Sequence, residues 1–377
     1  MTKKVLVTGG AGFIGSHLVD KLIDQKGYEV SILDILEEQV HGNVNHPPDY
    51  LNKNSKFFLG SVTDYKKLEH LVGENDIIFH LAAIVGVSQS MYQVEKYIEN
   101  NILGLANLLD ILVNSKHNVK KVVIASSNTV YGEGRAQCNT CGVVFPRVRL
   151  QDQLERKDWE LDCPYCRSKV KPLLTDENSP CNPSSIYAFS KQAQEKMSLM
   201  IGNTYGINTT VLRFFLVYGT RQALSNPYTG VCAIFSTKAL YGKPPIIFED
   251  GMQSRDFVNV KDVCQALILA MEKNAANGEI FNVGTGIPVT IKEVADLITE
   301  KINPELKPVY NQQYRIGDIR HSVADISKIK NKLGYSPTLT FKEGIDDLIN
   351  WIKTQKNDIQ KPSQKAIQEL KEKGLLK

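Results

Sequence analysis

An α/β fold with a doubly wound parallel sheet is what this sequence predicts, and three observations predict it. From residue 1 to about 135, short apolar runs alternate with amphipathic stretches, the pattern of a sheet covered by helices on both faces. The first run, Lys3-Lys-Val-Leu-Val-Thr8, passes through Gly9-Gly-Ala-Gly12-Phe-Ile-Gly15 into a segment with Phe13, Ile14, Leu18, Val19, Leu22 and Ile23 at helical spacing. A carboxylate, Asp34, closes the second run, 19 residues after Gly15.

The elements follow in order. Lys3–Thr8 reads as a buried strand, because parallel strands are apolar on both faces. Phe13–Asp24 reads as the helix after it, and Tyr28–Asp34 as the second strand. Lys56–Leu59, Asp76–Leu81 and Val119–Ala125 give three more strands, with helices near Asp64–Val72 and Val94–Ser115 between them. A helix across Ser184–Asn203 and a strand at Thr209–Phe215 resume the alternation. After about residue 220 the spacing loosens, with Pro244-Pro245, Gly284-Thr-Gly286 and Pro304 as punctuation, and the compact part ends with Leu348 to about Lys353. The expected organisation is a dinucleotide-binding (Rossmann) domain from 1–135 and 171–219, an insertion at 136–170, a smaller substrate domain at 220–353 and a charged tail at 354–377. In that tail Ala366, Leu370 and Leu375 recur at roughly helical spacing, suited to docking on the body or on another subunit.

The glycine run sits where a strand turns into a helix, the context a dinucleotide fingerprint requires. Gly9 allows the tight turn, Gly12 close approach of a pyrophosphate, and Gly15 close helix–strand packing. A helix N-terminus favours the anion. Asp34 would accept from both ribose hydroxyls and repel a 2′-phosphate, and Ile35-Leu-Glu-Glu38 brings no cation; NAD is expected rather than NADP.

Tyr187 and Lys191 lie four apart in Ser185-Ile-Tyr-Ala-Phe-Ser-Lys191, one turn apart on one helical face. An ammonium beside a phenol favours the phenolate and lowers its pKa. A tyrosine that moves protons near neutral pH, next to a dinucleotide cradle, suggests hydride chemistry at a carbinol carbon.

The 377 residues suffice for two domains, and 42% are apolar, with no run approaching a membrane span. The chain enters its first strand at once, so no signal peptide and a cytoplasmic location are expected. A net charge of +4 is too mild to imply nucleic acid.

Of seven cysteines, four fall in pairs: Cys138-Asn-Thr-Cys141 and Cys163-Pro-Tyr-Cys166, with 21 residues between them. That spacing gives the four-sulfur tetrahedron of a structural zinc, with no position open to substrate. The metal would pin an excursion, Ala136 to Val170, too small to fold alone. A nucleic-acid ribbon is the alternative, but Asp152, Glu155, Asp158, Glu160 and Asp162 nearly cancel Arg147, Arg149, Arg156, Lys157, Arg167 and Lys169.

With the glycine run and Asp34, His80-Leu-Ala-Ala83, Ser126-Ser-Asn-Thr-Val-Tyr-Gly132 and Tyr187-x-x-x-Lys191, in this order, the chain resembles the extended short-chain dehydrogenase/reductase family, nearest its nucleotide-sugar epimerases. The resemblance runs from residue 3 to about 353, the insert apart. The insert and Gly219-Thr-Arg-Gln-Ala-Leu-Ser-Asn-Pro-Tyr-Thr-Gly230 resemble the dTDP-L-rhamnose 4-epimerase branch.

The resemblance implies roles. Ser127 would hydrogen-bond the sugar 4-hydroxyl and Thr129 would add a second hydroxyl. Tyr187 would be the general base, and Lys191 its partner, also holding the nicotinamide ribose. Gly9, Gly12, Phe13, Ile14, Gly15, Asp34, Ser61, Val62, Leu81, Ala82 and Ala83 would line the cofactor, with Asn101 supporting the lysine. Arg221, Arg255 and Arg315 would face the substrate, the latter two gripping its diphosphate, with Asp318 near the nucleotide ribose. Three positions depart from the family: Leu216 replaces an asparagine facing the phosphates, Thr220 a common proline, and Ser61 an aspartate that touches adenine.

The implied reaction is reversible C4 epimerisation of a nucleotide sugar through a transient 4-keto sugar, in a homodimer built from the helices near Val94–Ser115 and Ser184–Asn203. A 4,6-dehydratase is the first rival, but its Asp-Glu pair is here Asn128 and Thr129. A 4-keto reductase or decarboxylase is the second, and a non-catalytic NAD-sensing regulator the third.

Overall fold

The computed structural model describes residues 2–25, 27–224, 226, 230–355 and 368–377. Ser225, Pro227, Tyr228, Thr229 and Ala366, named above, lie outside the described residues.

A seven-stranded parallel sheet forms the centre: β1 (Lys3–Thr8), β2 (Tyr28–Asp34), β3 (Lys56–Leu59), β4 (Ile77–His80), β5 (Lys121–Ser127), β6 (Asn208–Phe214) and β7 (Glu279–Val283). Its order is β7-β6-β5-β4-β1-β2-β3. The chain reverses direction across the sheet between β1 and β4, which opens a crevice at their carboxyl ends. Among the described residues it is covered by α1 (Phe13–Asp24), α2 (Tyr65–Gly73), α3 (Gly104–Asn114), α4 (Ile186–Tyr205) and α5 (Val260–Glu272), with the short helix Ser327–Leu333 against β7.

Burial follows the apolar pattern. Leu18, Val19 and Leu22 of α1 pack with Val263 and Leu267 of α5 on one face of the sheet. Leu68 and Leu71 of α2 pack with Leu105, Leu108 and Ile111 of α3 on the other. A separate core around Phe257, Ile298, Ile345 and Leu348 holds the smaller lobe. There a small sheet pairs Ser254–Asn259 with Leu216–Tyr218, Pro288–Thr290 and His321–Ser322. The large sheet takes β7 and α5 from beyond residue 220, so the chain returns to the first lobe after starting the second.

The expected single helix over Val94–Ser115 is instead interrupted. A short helix, Val94–Tyr97, leads into a π-helical turn, Ile98–Leu103, and then α3. The wider turn directs the Asn101 side chain inward, where Oδ1 accepts from the Ile84 amide at 2.8 Å and Nδ2 donates to Ser190 Oγ at 3.0 Å. Among the described residues, no helix is long and apolar enough to cross a membrane.

Candidate active site

The cradle is built from backbone. Gly9 has φ +73°, a left-handed conformation that glycine adopts without strain. A Cβ on Gly15 would stand 2.2 Å from Gly9 O and 2.7 Å from Gly10 Cα, so α1 reaches the strand only because Gly15 has none. A Cβ on Gly12 would meet only Gly9 O, at 3.3 Å, leaving its other side open. No side chain caps α1, so its first amides stay available to an anion.

A cleft of about 460 Å³ opens over these glycines. Gly9, Gly12, Phe13, Ile14, Gly15, Asp34, Ser61, Val62, Leu81, Ala82 and Ala83 line it, as do Ser127, Thr129, Tyr187, Lys191 and Leu216. The Asp34 carboxylate is fixed by the Ala11 amide at 3.0 Å and the Leu36 amide at 2.9 Å. Two bonds leave lone pairs free for further donors. The residues present fit NAD: small glycines at the turn, an oriented carboxylate at the end of β2, and no arginine among the lining residues.

At the far end of the cleft β5 ends at Ser127 and α4 begins, its N-terminus capped by Ser185, whose Oγ accepts from the Ala188 amide at 3.1 Å. Thr129 Oγ1 donates to Ser127 Oγ at 2.9 Å. Lys191 Nζ donates to Ala125 O at 2.8 Å and to Gln194 Oε1 at 2.9 Å, and Gln194 Nε2 donates to Asn101 O at 2.7 Å. Asn101 does not line the cleft; its carbonyl reaches the lysine through Gln194.

The expected depression of the phenol pKa is not what this arrangement gives. Burial pushes Tyr187 up to about 12, offset in part by a hydrogen bond from Ser127. Burial pushes Lys191 down to about 8, offset in part by Glu195. The lysine spends its protons on a carbonyl and an amide, and desolvation is the dominant influence on both groups.

Three supporting groups carried no motif. Ser90 Oγ accepts from the Tyr187 amide at 3.0 Å. Gln194 and Glu195 follow Lys191 on α4, and both are buried. Glu195 takes Arg213 in two bonds and Ser126 Oγ in a third, at 2.5 Å. Their trace in the sequence is polar residues at 191, 194, 195 and 198, the spacing of an inward helix face.

The substrate-side residues do not line this cleft. Arg221 pairs with Asp20 at 2.7 Å and lies over the Tyr50 ring. Arg255 directs four N–H groups at protein: Ser254 O, Arg320 O, Ile319 O and Asp318 Oδ1. Little of its fork is left for a diphosphate. Arg315 lies 5.0 Å over the Phe248 ring, makes no ion pair among the described residues, and has its Nε buried without a hydrogen-bond partner. Its loop borders the catalytic segment: Ser184 Oγ donates to Gly317 O at 3.5 Å, and Asn128 Nδ2 donates to Ser322 Oγ at 2.7 Å.

The sulfurs of Cys138, Cys141, Cys163 and Cys166 all lie within 4.8 Å of one another. A tetrahedron with metal–sulfur bonds of ~2.3 Å has edges of ~3.8 Å, so the set fits one ion. The insert is bonded to the smaller lobe by buried charge. Arg149 donates to Glu249 at 2.7 Å, and Arg320, fully buried, meets Glu160 at 2.6 Å, Glu249 at 3.0 Å and Asp250 at 2.7 Å.

Known proteins resemble this chain in sequence and in fold. Residues 6–141 match the profile described as GDP-mannose 4,6 dehydratase, and residues 162–284 that of the NAD dependent epimerase/dehydratase family. A dTDP-L-rhamnose 4-epimerase of Burkholderia thailandensis is 33% identical over 353 residues, 93% of this chain and 95% of the relative. A UDP-glucose 4-epimerase structure from Thermotoga maritima superposes with a TM-score of 0.76 at 34% identity, covering 93% of this chain and 98% of that one. A UDP-glucuronic acid 4-epimerase from Bacillus cereus, solved with UDP-glucuronic acid and NAD, gives a TM-score of 0.76 at 26% identity, with 93% and 99% covered. The chain belongs to the NAD-dependent epimerase/dehydratase family.

Proposed function

We propose that this protein is an NAD-dependent nucleotide-sugar 4-epimerase. The observation that carries the reading is the convergence of Ser127, Tyr187 and Lys191 at one end of a cleft whose only lining carboxylates among the described residues, Asp34 and Glu37, belong to its other end. Removing and restoring a proton at a sugar hydroxyl needs one acid–base group. Eliminating water across C5 and C6 needs a separate acid and base, and the positions for them hold Asn128 and Thr129. Asn128 is bonded to Ser322, and Thr129 to Ser127. This disfavours a 4,6-dehydratase.

Gly9, Gly12 and Gly15 would hold the pyrophosphate of NAD, Asp34 the adenosine ribose, and Lys191 the nicotinamide ribose. When bound, NAD supplies the hydride acceptor, and its positive ring favours the phenolate that burial alone opposes. Tyr187 takes the 4-hydroxyl proton and later returns it. Ser127 orients that hydroxyl and hydrogen-bonds the phenolate. Loss and return of the C4 hydrogen on opposite faces inverts the carbon, so the sugar must turn about a fixed anchor. Arg315, an unpaired guanidinium beside the catalytic segment, suits the diphosphate; Arg255 and Asp318 shape its loop.

The four cysteines are assigned to structural zinc. A homodimer is supported by apolar side chains left exposed on the π turn and α4: Leu103 at 47%, Phe189 at 50% and Met200 at 67%. Free cysteines throughout fit a cytoplasmic protein. The division into a cofactor lobe, insert, substrate lobe and tail is kept as proposed from the sequence, with β7 and α5 added to the cofactor lobe.

The test is product analysis by NMR. Purified protein is incubated without added cofactor with dTDP-L-rhamnose and separately with UDP-glucose. The reading predicts a C4 epimer from one of them, with the rate falling by about 10²–10⁴ in Tyr187→Phe. Turnover that survives in Tyr187→Phe would overturn the assignment of the base.

A further inference from the structure

We propose that the C-terminal segment 368–377 is a strap that positions Arg315 for the nucleotide diphosphate. The inference rests on the reading of Arg315 given above. The strap pairs with the arginine's own loop. The Tyr314 amide donates to Lys377 O at 2.9 Å, the Lys377 amide donates to Tyr314 O at 3.1 Å, and the Ile316 amide donates to Leu375 O at 3.1 Å. Arg315 is thus bracketed by an antiparallel pairing whose opposite residue is Leu376. Leu370 and Leu376 are buried, so the segment is anchored by apolar burial as well as by backbone bonds.

The other end of the strap meets a second segment. Tyr92 Oη donates to Glu369 Oε2 at 3.0 Å. Tyr92 closes the stretch in which Gly86 and Val87 line the cofactor cleft and Ser90 accepts from the Tyr187 amide. The strap therefore ties the loop that carries the proposed diphosphate anchor to the segment that supports the proposed base. Arg315 needs such a brace. It has no carboxylate partner among the described residues, only the Phe248 ring beneath it and the paired backbone on either side. A guanidinium held by backbone keeps its N–H groups for a ligand, whereas one held by a carboxylate, or by carbonyls as Arg255 is, does not.

The predicted consequence lies in binding. Full-length Leu376→Asp, Glu369→Gln, Arg315→Ala and the double variant Leu376→Asp/Arg315→Ala are compared with the wild type. UDP and dTDP binding is measured by calorimetry, bound NAD by absorbance, and amide exchange at Tyr314 and Ile316 by mass spectrometry. Leu376→Asp should lose protection at those amides and weaken nucleotide binding about tenfold, as expected for loss of a charge-assisted contact, with bound NAD unchanged. Glu369→Gln should weaken binding less, and an added conservative control, Leu376→Ile, should bind like the wild type. The double variant should bind no more weakly than Arg315→Ala, because the strap acts through that arginine. Wild-type affinity in Leu376→Asp despite lost protection would overturn the strap, as would additive losses in the double variant. If Arg315→Ala itself binds like the wild type, the reading of Arg315 falls instead, and the strap loses its purpose with it.

Discussion

Glu195→Gln should be among the most destabilising single changes in the chain, although Glu195 contacts neither the proposed cofactor nor the proposed substrate. Glu195 accepts from Arg213 Nε at 2.8 Å and Nη2 at 2.6 Å, and from Ser126 Oγ at 2.5 Å. Both charged side chains are almost wholly enclosed, at 3% and 4% exposure. The guanidinium also lies 4.6 Å over the Tyr131 ring and donates to Cys181 Sγ at 3.3 Å, a weak acceptor that does not replace a carboxylate. Removing one partner of such a pair leaves an uncompensated buried charge and costs about 3–5 kcal/mol. Ser126 at the same time exchanges a carboxylate acceptor for a weaker amide oxygen, one residue before Ser127. Urea unfolding in a fixed excess of NAD reads the loss. Replacing both partners with apolar residues, Glu195→Leu with Arg213→Met, should recover most of it, since two charges no longer need each other. A Glu195→Gln protein within about 1 kcal/mol of the wild type, or a double variant no more stable than the single one, would refute the reasoning.

Other consequences are as concrete. Gly15→Ala places a methyl 2.2 Å from a backbone carbonyl that cannot yield, so the purified variant should carry no NAD by absorbance. Burial holds Lys191 at about 8, below its ordinary 10.5. Its charged form therefore weighs against the fold at every pH below about 8, and that weight lifts as pH rises towards 10.5. Across that window the wild type should gain up to about 3 kcal/mol of stability relative to Lys191→Met, read from paired denaturation curves. Elemental analysis should find one zinc per chain, lost in Cys163→Ser; iron, or no metal, would contradict the zinc assignment.

What could be read from the sequence was mostly local. The edges of β1, α1, β2 and β3 follow from apolar periodicity and a glycine turn, because each depends on its own residues and the burial of one face. The ends of β4 and β5 shift by one or two residues, since neighbouring strands decide where pairing stops. The π turn at Ile98–Leu103 has no sequence period of its own; it exists because Asn101 bonds across to Ile84 and Ser190. The spacing of Tyr187 and Lys191 announced their shared face, but not how deeply both are buried, and burial sets their pKa values. Arg255 sits in a motif that a sequence assigns to phosphate, yet its direction is set by carbonyls of residues 254, 319 and 320. The Glu195–Arg213 pair depends on the register that sets Ser126 opposite Arg213, which no local pattern encodes.

The most direct test of the central claim follows the hydrogen on C4. A nucleotide sugar that the protein converts is prepared with deuterium at C4 and turned over in ordinary water without added NAD. Hydride removed from C4 and returned to the same carbon inside a closed site predicts an epimer that keeps its deuterium, with none entering from solvent in the converse experiment in D₂O. Washout of the label from C4, or solvent deuterium at C5 or C6, would contradict 4-epimerisation and move the chemistry to a neighbouring carbon.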